Sequence, residues 1–370
     1  MGFLSARYYN FRNIKNCALN LEAPEVFLIG ENGQGKTNFI ESIYLLCFGA
    51  SFRTKLDKRL INNQEEQSAV QGTFSGVGEP RREIAVQISR NGKKEIRVDS
   101  KLIQDRKDLI ENIPCIVFSH QDMDFITGSP EKRRRFFNQT LSLFDPFFID
   151  LMRRYRRILK ARNVLLKDKK LNLLETFNQN LAQIGLQIQE KREKIATDFN
   201  HTFVPVFQSI SEPNGNIRIV YKPSWRRDAS VTEIVSHLEK HMEQDLRFET
   251  STSGPHRDNF MIHQDGKDFV HIASTGQIRL SSLILKVAQA RFFSSKTGRL
   301  PILLLDDVLL ELDLHRRENF LKTLPFYVQA FFTFLPDEPF LKYCGKNTLI
   351  YNVKGGEFIY TGKADHEKSG

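Results

Sequence analysis

Residues 30–37 read GENGQGKT, which matches the spacing G-x-x-x-x-G-K-[ST]. Glycines at these positions let the backbone curve tightly and turn its N–H groups toward phosphate oxygens. In this spacing the lysine reaches the β- and γ-phosphates, and the hydroxyl that follows it ligates magnesium. The loop therefore predicts a site for ATP with Mg²⁺. The expected nucleotide contacts are Gly30, Glu31, Asn32, Gly33, Gln34, Gly35, Lys36 and Thr37.

Two adjacent carboxylates follow a short apolar run near the other end of the chain. Residues 301–307 read PILLLDD, and such a run suits a central parallel strand that is buried on both faces. In enzymes with this Gly-rich loop, one carboxylate holds the magnesium and a second one orients or deprotonates the attacking water. We therefore expect Asp306 and Thr37 to be metal ligands, and Asp307 and Lys36 to be catalytic.

A third motif, Ser274-Thr275-Gly276-Gln277, stands just before a predicted helix. A helix N-terminus binds anions, but the Gly-rich loop already serves the phosphates of its own nucleotide. The natural use of Ser274, Gly276 and Gln277 is therefore to contact the γ-phosphate of ATP on a second subunit. Taken alone, the four residues are better explained as an ordinary serine cap and glycine turn. With the acidic strand downstream, they predict an ATPase head of the ABC type.

Positive charge is concentrated in one stretch of the chain. Residues 126–170 contain 13 Lys and Arg against 4 Asp and Glu, which is nearly the whole net charge of +10. Such a concentration favours a polyanionic partner, either nucleic acid or an anionic membrane, although a solvated helix face is an even alternative. Arg153, Arg157 and Lys160 share one helix face. They are the predicted contacts if that polyanion is DNA, together with Arg133 and Arg134. Sequence-independent, salt-dependent binding is expected, because the sequence contains no base-reading motif.

The composition is that of a globular protein rather than a membrane protein. No apolar run reaches the length of about 18 residues that a membrane-spanning helix needs. The N-terminus lacks the layout of a secretory signal, and four scattered cysteines suggest no zinc site. We expect a cytoplasmic protein without a membrane partner.

The pattern along the chain predicts three zones. Residues 1–130 alternate between strands and helices and form the first half of an ATPase head, with a strand at 25–29 and a hairpin at 83–99. Residues 131–250 have apolar positions at three- and four-residue intervals, which predicts a compact, basic, helical lobe. Residues 251–370 return to mixed character and complete the head. The expected fold class is therefore α/β, an ABC-type head with an inserted, mostly α-helical lobe.

With these motifs placed, the chain resembles the RecF family of bacterial recombination mediators, which have SMC- and ABC-like ATPase heads. Six stretches in family order carry the resemblance. They are GENGQGKTNFIESIYLL from Gly30, SFRTKLDKRLI from Ser51, FITGSPEKRRRFFN from Phe125, SGPHRDNF from Ser253, STGQIRLSSLILKVAQA from Ser274 and PILLLDDVLLELD from Pro301.

The resemblance implies a protein that binds DNA at single-strand gaps or junctions and dimerises on ATP. It would hydrolyse ATP weakly, depend on DNA for this, and help RecR and RecO to load RecA during repair. By the same resemblance, Gln121 is a catalytic residue that senses the γ-phosphate, and residues 311–313 form a turn that faces the dimer. For Arg53 and His256-Arg257, contact with nucleotide or DNA and a structural ion pair are equal alternatives.

Two departures from related ATPases bear on the predicted rate. Asp307 is one methylene shorter than the glutamate of fast ABC enzymes, so it reaches its water less well and slow hydrolysis is expected. No histidine follows residues 331–333, where transporter-type enzymes place one. This second departure argues against an energy-coupling transporter subunit, which is the main alternative. A P-loop kinase and a DNA-binding protein with a vestigial nucleotide site are further alternatives.

Overall fold

The computed structural model describes residues 2–76, 78, 80–211, 215–345 and 347–363, except for the side chains of Gln121, Glu311, Leu314 and Lys363. The strands are β1 (Gly2–Tyr9), β2 (Cys17–Asn20), β3 (Glu25–Ile29), β4 (Gln67–Ser75), β5 (Arg81–Ser89), β6 (Lys94–Val98), β7 (Lys101–Leu102), β8 (Cys115–Phe118), β9 (Ile217–Lys222), β10 (Asn259–Gln264), β11 (Lys267–Asp268), β12 (Ile302–Leu305), β13 (Gln329–Phe334), β14 (Thr348–Lys354) and β15 (Glu357–Lys363). The α-helices are α1 (Lys36–Phe48), α2 (Lys107–Asn112), α3 (Asp124–Thr127), α4 (Pro130–Phe144), α5 (Pro146–Lys167), α6 (Leu174–Ile210), α7 (Val231–Lys240), α8 (Met242–Arg247), α9 (Thr275–Thr297) and α10 (Leu314–Thr323). Among the residues so described, no helix is both long enough and apolar enough to cross a bilayer.

The chain divides into two compact units, and their boundaries differ from the predicted zones. Unit 1 consists of Met1–His120 and Phe293–Gly370, and unit 2 is the continuous segment Gln121–Phe292. The predicted boundaries were 130 and 250, so residues 251–292 move from the expected second half of the head into the inserted unit. The reason is strand pairing, because β10 is hydrogen-bonded along its length to β9 of the same unit.

Unit 1 contains a mainly parallel sheet with the strand order β15-β14-β3-β13-β12-β8. The predicted strand at residues 25–29 is β3, which lies parallel to both β13 and β14. The predicted strand within residues 301–307 is β12, which lies parallel to both β13 and β8. All four residues of β12 are buried, as its uninterrupted apolar run predicts. The C-terminal ends of β3 and β12 therefore meet at one edge of this sheet.

Unit 1 also contains a six-stranded sheet with the order β2-β1-β4-β5-β6-β7. All the strand pairs of this sheet are antiparallel. The predicted hairpin is formed by β5 and β6, and its turn contains Gly92 at a positive φ of 90°. Positive φ is the conformation that the Asn-Gly pair favours in a tight hairpin.

Helix α1 contacts strands of both sheets. Eleven of its thirteen residues are buried, including the polar Lys36, Glu41 and Ser42, so the helix is enclosed on nearly every side. A helix of this kind belongs in an interior rather than at a surface. Its burial fixes the position of its N-terminus, which is the end that carries Lys36 and Thr37.

Unit 2 contains most of the helices, and it also contains a small sheet that the sequence analysis missed. The order β11-β10-β9 is antiparallel throughout. Of these strands only β9 lies within residues 131–250, so the prediction of a mostly helical lobe omitted one strand. Strand β9 alternates buried and less buried residues, with Ile217, Ile219 and Tyr221 inward. Six residues of alternation between two helices make a weak signal, and this is why the strand was overlooked.

Two buried ion pairs lie in the interior of unit 2. Arg162 contacts Asp245 at 2.7 Å, and Arg192 contacts Asp258 at 2.8 Å, with every one of these side chains at most 1% exposed. Burial raises the pKa of Asp258 despite the guanidinium of Arg192 beside it. Part of the basic composition of this unit is therefore structural.

Candidate functional site

The Gly-rich loop connects β3 to α1, as the motif requires. Gly33 and Gly35 have φ values of 78° and 124°, which residues with a side chain rarely adopt. A Cβ on Gly30 would lie 2.4 Å from the carbonyl oxygen of Val353, so a larger residue has no room there. The loop is thus shaped by three glycines, and its N–H groups precede the N-terminus of α1, where helix geometry favours a phosphate.

Lys36 is held inside this loop. Its side chain is 3% exposed, and Nζ donates to the carbonyl oxygens of Gly30 at 2.5 Å and Glu31 at 3.2 Å. A lysine ammonium has three donors, so a phosphate oxygen can be added to these partners. The geometry brings the lysine to the place where the motif predicts a phosphate contact.

Thr37 and Asp306 are hydrogen-bonded although 269 residues separate them in sequence. The hydroxyl of Thr37 donates to Oδ1 of Asp306 over 2.9 Å. Burial raises the pKa of Asp306 to about 7, and the neighbouring charge of Asp307 adds to this effect. A carboxylate in such surroundings is one that a cation would stabilise, because the cation offsets the lost hydration.

The chemistry of this pair fits magnesium. Mg²⁺ takes oxygen ligands, and proteins commonly bind it through one or two carboxylates together with the phosphates of a substrate. Among the residues that the structure describes, no cluster of three or more His, Cys, Asp or Glu forms a complete metal cage. Thr37 and Asp306 therefore suit an ion that arrives with a nucleotide.

Asp307 lies at a sharp turn after β12. Its φ of 52° is in the left-handed region, which costs an ordinary residue about 1–2 kcal/mol. Its backbone N–H donates to Oγ1 of Thr333 at 2.7 Å, and the same hydroxyl donates to Oδ1 of Asp307 at 2.9 Å. One hydroxyl on β13 therefore holds both the main chain and the carboxylate of the predicted catalytic residue.

The hairpin of β14 and β15 is hydrogen-bonded to the Gly-rich loop. The N–H groups of Gly355 and Gly356, in the turn between β14 and β15, donate to Gln34 at Oε1 (2.7 Å) and at its carbonyl oxygen (2.9 Å). A Cβ on Gly356 would lie 1.9 Å from the carbonyl oxygen of Asn13. Gln34 thus has a structural partner in addition to its predicted role beside the nucleotide.

Known proteins are similar to this chain in sequence and in fold. The family model described as "RecF/RecN/SMC N terminal domain" matches residues 5–354. A "DNA replication and repair protein RecF" from Treponema pallidum (strain Nichols) is 41% identical over 347 residues, which are 94% of this chain and 98% of that protein. The chain belongs to the RecF family.

Solved structures agree with membership of the RecF family. The chain matches a structure of the recombination mediator protein RecF-ATP in the RecFOR pathway with a TM-score of 0.89 and 27% identity, covering 98% of both chains. The Smc head domain of Pyrococcus furiosus, at 14% identity and a TM-score of 0.54, covers 98% of this chain and 96% of its own and shares the fold. The predicted fold class, an ABC- and SMC-like head with an inserted lobe, is confirmed.

The motif at Ser274 belongs to unit 2, where it begins α9. The backbone N–H of Gln277 donates to Oγ of Ser274 at 3.3 Å, and the N–H of Ser274 donates to Oε1 of Gln277 at 2.8 Å. This reciprocal pair is a capping box. Both residues are exposed, and a Cβ on Gly276 would meet nothing within 4 Å. The helix N-terminus is therefore open, and the role toward a second subunit remains a prediction.

Two further assignments follow from the RecF resemblance, at Gln121 and at residues 311–313. Gln121 lies in a short 3-10 helix, His120–Met123, soon after β8, but its side chain is outside the described atoms. In the expected dimer-facing turn, Asp313 caps α10 by accepting from the N–H of Arg316 at 2.9 Å. These two assignments stay predictions.

The basic residues of α5 lie on the surface of unit 2. Arg153, Arg157 and Lys160 are exposed and follow one helix face, as their spacing predicts. Arg153 also contacts Asp150 one turn earlier, at 3.4 Å. An exposed ion pair of this kind is weak, so Arg153 can exchange it for a phosphate.

Arg133 and Arg134 on α4 are turned toward protein instead. Arg134 donates to the carbonyl oxygen of Asp258 at 2.6 Å, and Arg133 reaches that of Phe260 at 3.4 Å. Burial lowers the pKa of Arg134, with Arg192 nearby adding to the effect. These contacts leave the two arginines less available to DNA than the residues of α5.

The two assignments that the sequence left open have structural partners. Arg53 contacts the buried carboxylate of Glu41 at 3.4 Å, and Arg12 contacts the same carboxylate at 2.9 Å. His256 lies between the hydroxyl of Tyr155 and the carbonyl oxygen of Ser251, at 2.8 and 2.9 Å. The structural role is therefore present at Arg53 and at His256, whatever else these residues contact.

Sequence reasoning missed Thr333 and the turn at Gly355-Gly356. A threonine inside an apolar strand and two adjacent glycines between strands are common features, so neither one points to the nucleotide loop. The polar Thr333, between the phenylalanines of the fully buried β13, was the one available signal. Only the pairing of strands that are distant in sequence connects these residues to the site.

Proposed function

We propose that this protein is an ATP-dependent, DNA-binding recombination mediator that acts in DNA repair. It binds DNA at single-strand gaps or junctions, dimerises on binding ATP with Mg²⁺ and hydrolyses that ATP slowly. The curated RecF relatives are DNA replication and repair proteins, and the matched solved structure is of a mediator with ATP. Membership of the RecF family therefore supports the repair function.

One contact carries the nucleotide part of the proposal. The 2.9 Å hydrogen bond from Thr37 to Asp306 joins the Gly-rich loop and the acidic strand into one oxygen-lined site. Lys36 and the loop N–H groups bind the triphosphate there, and Thr37 with Asp306 holds magnesium. When bound, the ion neutralises charge on the β- and γ-phosphates.

The reaction is hydrolysis of ATP to ADP and phosphate. A water oxygen bonds to the γ-phosphorus while the bond from that phosphorus to the β-phosphate oxygen breaks, and ADP leaves. Asp307 orients the water and accepts its proton, and Gln121 senses the γ-phosphate. Because Asp307 is shorter than a glutamate, it reaches the water less well, and the rate is low. DNA stimulates this slow step.

Dimerisation uses the open helix N-terminus at Ser274. Ser274, Gly276 and Gln277 of one copy meet the γ-phosphate that the Gly-rich loop of another copy binds. The positive dipole at a helix N-terminus favours that negative charge. Bound ATP therefore joins two copies of the chain, and hydrolysis of the ATP separates them.

DNA binding uses the exposed basic face of α5. Arg153, Arg157 and Lys160 contact backbone phosphates, so the affinity depends on salt and little on base sequence. Arg133 and Arg134 contribute less, because their hydrogen bonds go to backbone carbonyl oxygens. By analogy with the RecFOR pathway named for the matched structure, RecO and RecR are the protein partners, and loading of RecA is the outcome.

The dimer mechanism is tested by light scattering with ATP and Mg²⁺. Wild type is compared with Lys36→Ala, which removes the phosphate contact, and with Ser274→Arg, which blocks the helix N-terminus. We expect wild type to double its mass with ATP and both variants to stay monomeric. Dimers of wild-type stability in both variants would overturn the composite site.

The structure offers a matched control for each variant. Ser230→Arg breaks the capping box between Ser230 and Glu233 at the start of α7, so it disturbs a helix start of the same kind in the same unit. Lys101→Ala removes an exposed lysine of unit 1. Both controls should dimerise with ATP like wild type. Binding of gapped DNA with and without ATP, measured by fluorescence anisotropy, then tests the coupling to DNA.

The transporter alternative is disfavoured by the RecF relatives. No feature of the described residues favours a kinase or a vestigial nucleotide site over the proposed function. ATP-dependent dimers of the wild type in the scattering experiment would exclude a vestigial nucleotide site.

A further inference from the structure

Thr333 makes two hydrogen bonds to one residue, and that residue is the proposed base. Its hydroxyl accepts from the backbone N–H of Asp307 at 2.7 Å and donates to Oδ1 of the same residue at 2.9 Å. Thr333 is 3% exposed, so water does not compete for these bonds. A hydroxyl can accept and donate at once, and a valine of the same shape can do neither.

The main chain at Asp307 needs such a restraint. Its φ of 52° is unusual for a residue with a side chain, and it directly follows Asp306, whose carboxylate contacts Thr37. Unfavourable backbone conformations persist only where neighbouring groups hold them, and they cluster at functional sites. The turn at residue 307 therefore depends on the hydroxyl that accepts its N–H.

We propose that Thr333 is a positioning residue for ATP hydrolysis, which fixes the direction of the Asp307 carboxylate. The proposal rests on the proposed role of Asp307 as the base. Because the threonine hydroxyl is bonded to Oδ1, the other oxygen, Oδ2, accepts the proton of the attacking water. Thr333 touches neither water nor nucleotide in this scheme and acts only through Asp307.

A purely structural role is the competing explanation. A buried hydroxyl with two hydrogen bonds stabilises any protein, and its loss would lower the melting temperature without a specific effect on chemistry. The two explanations differ in what happens to a bound nucleotide. A positioning role slows hydrolysis of ATP that is already bound and leaves ATP affinity unchanged.

The test compares Thr333→Val, Thr333→Ala and Thr333→Ser in the full-length protein. Single-turnover hydrolysis, equilibrium binding of a fluorescent ATP analogue and the lifetime of the ATP-dependent dimer are measured for each. We expect Val and Ala to slow hydrolysis roughly tenfold to a hundredfold, as loss of a partner that orients a functional side chain does. Nucleotide affinity should stay within about twofold of wild type, the dimer should last longer in proportion, and Ser should restore the rate.

Thr348 provides a matched control at the other end of the sheet. It is also fully buried, and its hydroxyl also accepts from a backbone N–H, that of Gly345 at 2.8 Å, and donates to a carboxylate, that of Glu25 at 2.7 Å. Thr348→Val should lower the melting temperature about as much as Thr333→Val. It should hydrolyse ATP at the wild-type rate.

A double-mutant cycle with Asp307→Asn separates the possible failures. If Thr333 acts through Asp307, then Thr333→Val will not slow the Asp307→Asn variant further. An additional tenfold loss in that background, or a wild-type rate in a folded Thr333→Val protein, would overturn the positioning role. A wild-type rate in Asp307→Asn itself would instead overturn the proposed base. Because Thr333→Ala adds no methyl group beside the carboxylate, it serves if Thr333→Val does not fold.

Discussion

Positive side chains occur in very different settings in the two units of this protein. Lys36 in unit 1 is 3% exposed and is fixed by two carbonyl oxygens of its own loop. Arg153, Arg157 and Lys160 on α5 of unit 2 are exposed to water. The fixed position of Lys36 suits a ligand of one shape that binds at one place. The exposed face of α5 suits a charged polymer that can bind at many positions along its length. The contrast is between recognition by geometry and recognition by charge.

Unit 2 adds a third setting, in which positive charge serves the fold. Arg162 and Arg192 are buried in ion pairs with Asp245 and Asp258. Arg162 and Arg157 stand on the same basic helix and yet have opposite exposures. The charge of residues 126–170 is therefore not all available for DNA, and substitutions can sort the arginines by their role.

Removal of the Arg192 side chain should have the largest effect. Arg192→Met leaves the carboxylate of Asp258 buried without its partner, and such changes cost about 3–5 kcal/mol of unfolding free energy. Chemical denaturation measures the loss, and Asp258→Asn in the same protein should recover part of it. Lys194→Met, an exposed change on the same helix, should be neutral. An equal loss in both variants would mean that burial of the ion pair is unimportant.

Lowering the pH should reduce the free energy of unfolding through protonation of the buried His256. Burial lowers the pKa of His256 to about 4 from its usual 6.5. The unfolded chain therefore binds a proton more readily, and the stability that His256 contributes above pH 6.5 is lost as the pH falls through 4, up to roughly 3 kcal/mol. His256→Gln keeps both hydrogen-bonding atoms and should flatten the decline of unfolding free energy between these pH values. His201→Gln, at an exposed histidine, should leave the decline as it is in wild type.

Gly356→Ala should weaken ATP binding from outside the Gly-rich loop. Its Cβ would lie 1.9 Å from the carbonyl oxygen of Asn13, so the turn that holds Gln34 must move. We expect a loss of about 2–3 kcal/mol, shared between stability and ATP affinity. Gly355→Ala is the control, since its φ of 57° is equally left-handed but its Cβ meets nothing within 4 Å. Equal effects of the two changes would show that only backbone strain matters.

The exposed face of α5 should give the smallest change per residue. Replacement of Arg153, Arg157 and Lys160 by alanine should weaken DNA binding roughly tenfold, or about 1.4 kcal/mol. The slope of log affinity against log salt should fall by about 0.7–0.9 for each lost phosphate contact. Fluorescence anisotropy at several salt concentrations measures both. Replacement of Arg81, Lys101 and Lys322, which are exposed in unit 1, should leave the slope unchanged.

The parts of the nucleotide site that are local in sequence could be predicted. Residues 25–29 and the helix from Lys36 were expected because an apolar run, a Gly-rich loop and a helical pattern follow one another without interruption. The acidic strand was expected from its own composition. The contact of Thr37 with Asp306 then followed from the requirement that both motifs serve one metal ion.

The parts that depend on distant pairing could not be predicted. Thr333 reaches Asp307 only because β13 lies beside β12, and Gln34 meets Gly355 only because β14 lies beside β3. The local sequence of each of these strands does not specify which strands lie beside it in the sheet. The boundary at residue 292 was missed for the same reason, since β10 pairs with β9 and not with strands of the head.

The contact between the turn at Gly355-Gly356 and the Gly-rich loop also limits the order in which parts of this protein can fold during synthesis. Unit 2 is continuous in sequence, so it can fold as soon as residues 121–292 have emerged. The loop at residues 30–37 must wait for the turn at Gly355-Gly356, which is synthesised 321 residues after Gln34. A nascent chain therefore carries a folded basic lobe for some time before it has a finished ATP site. During that interval the chain has the basic face that is proposed to bind DNA, but it lacks the complete loop that is proposed to bind ATP.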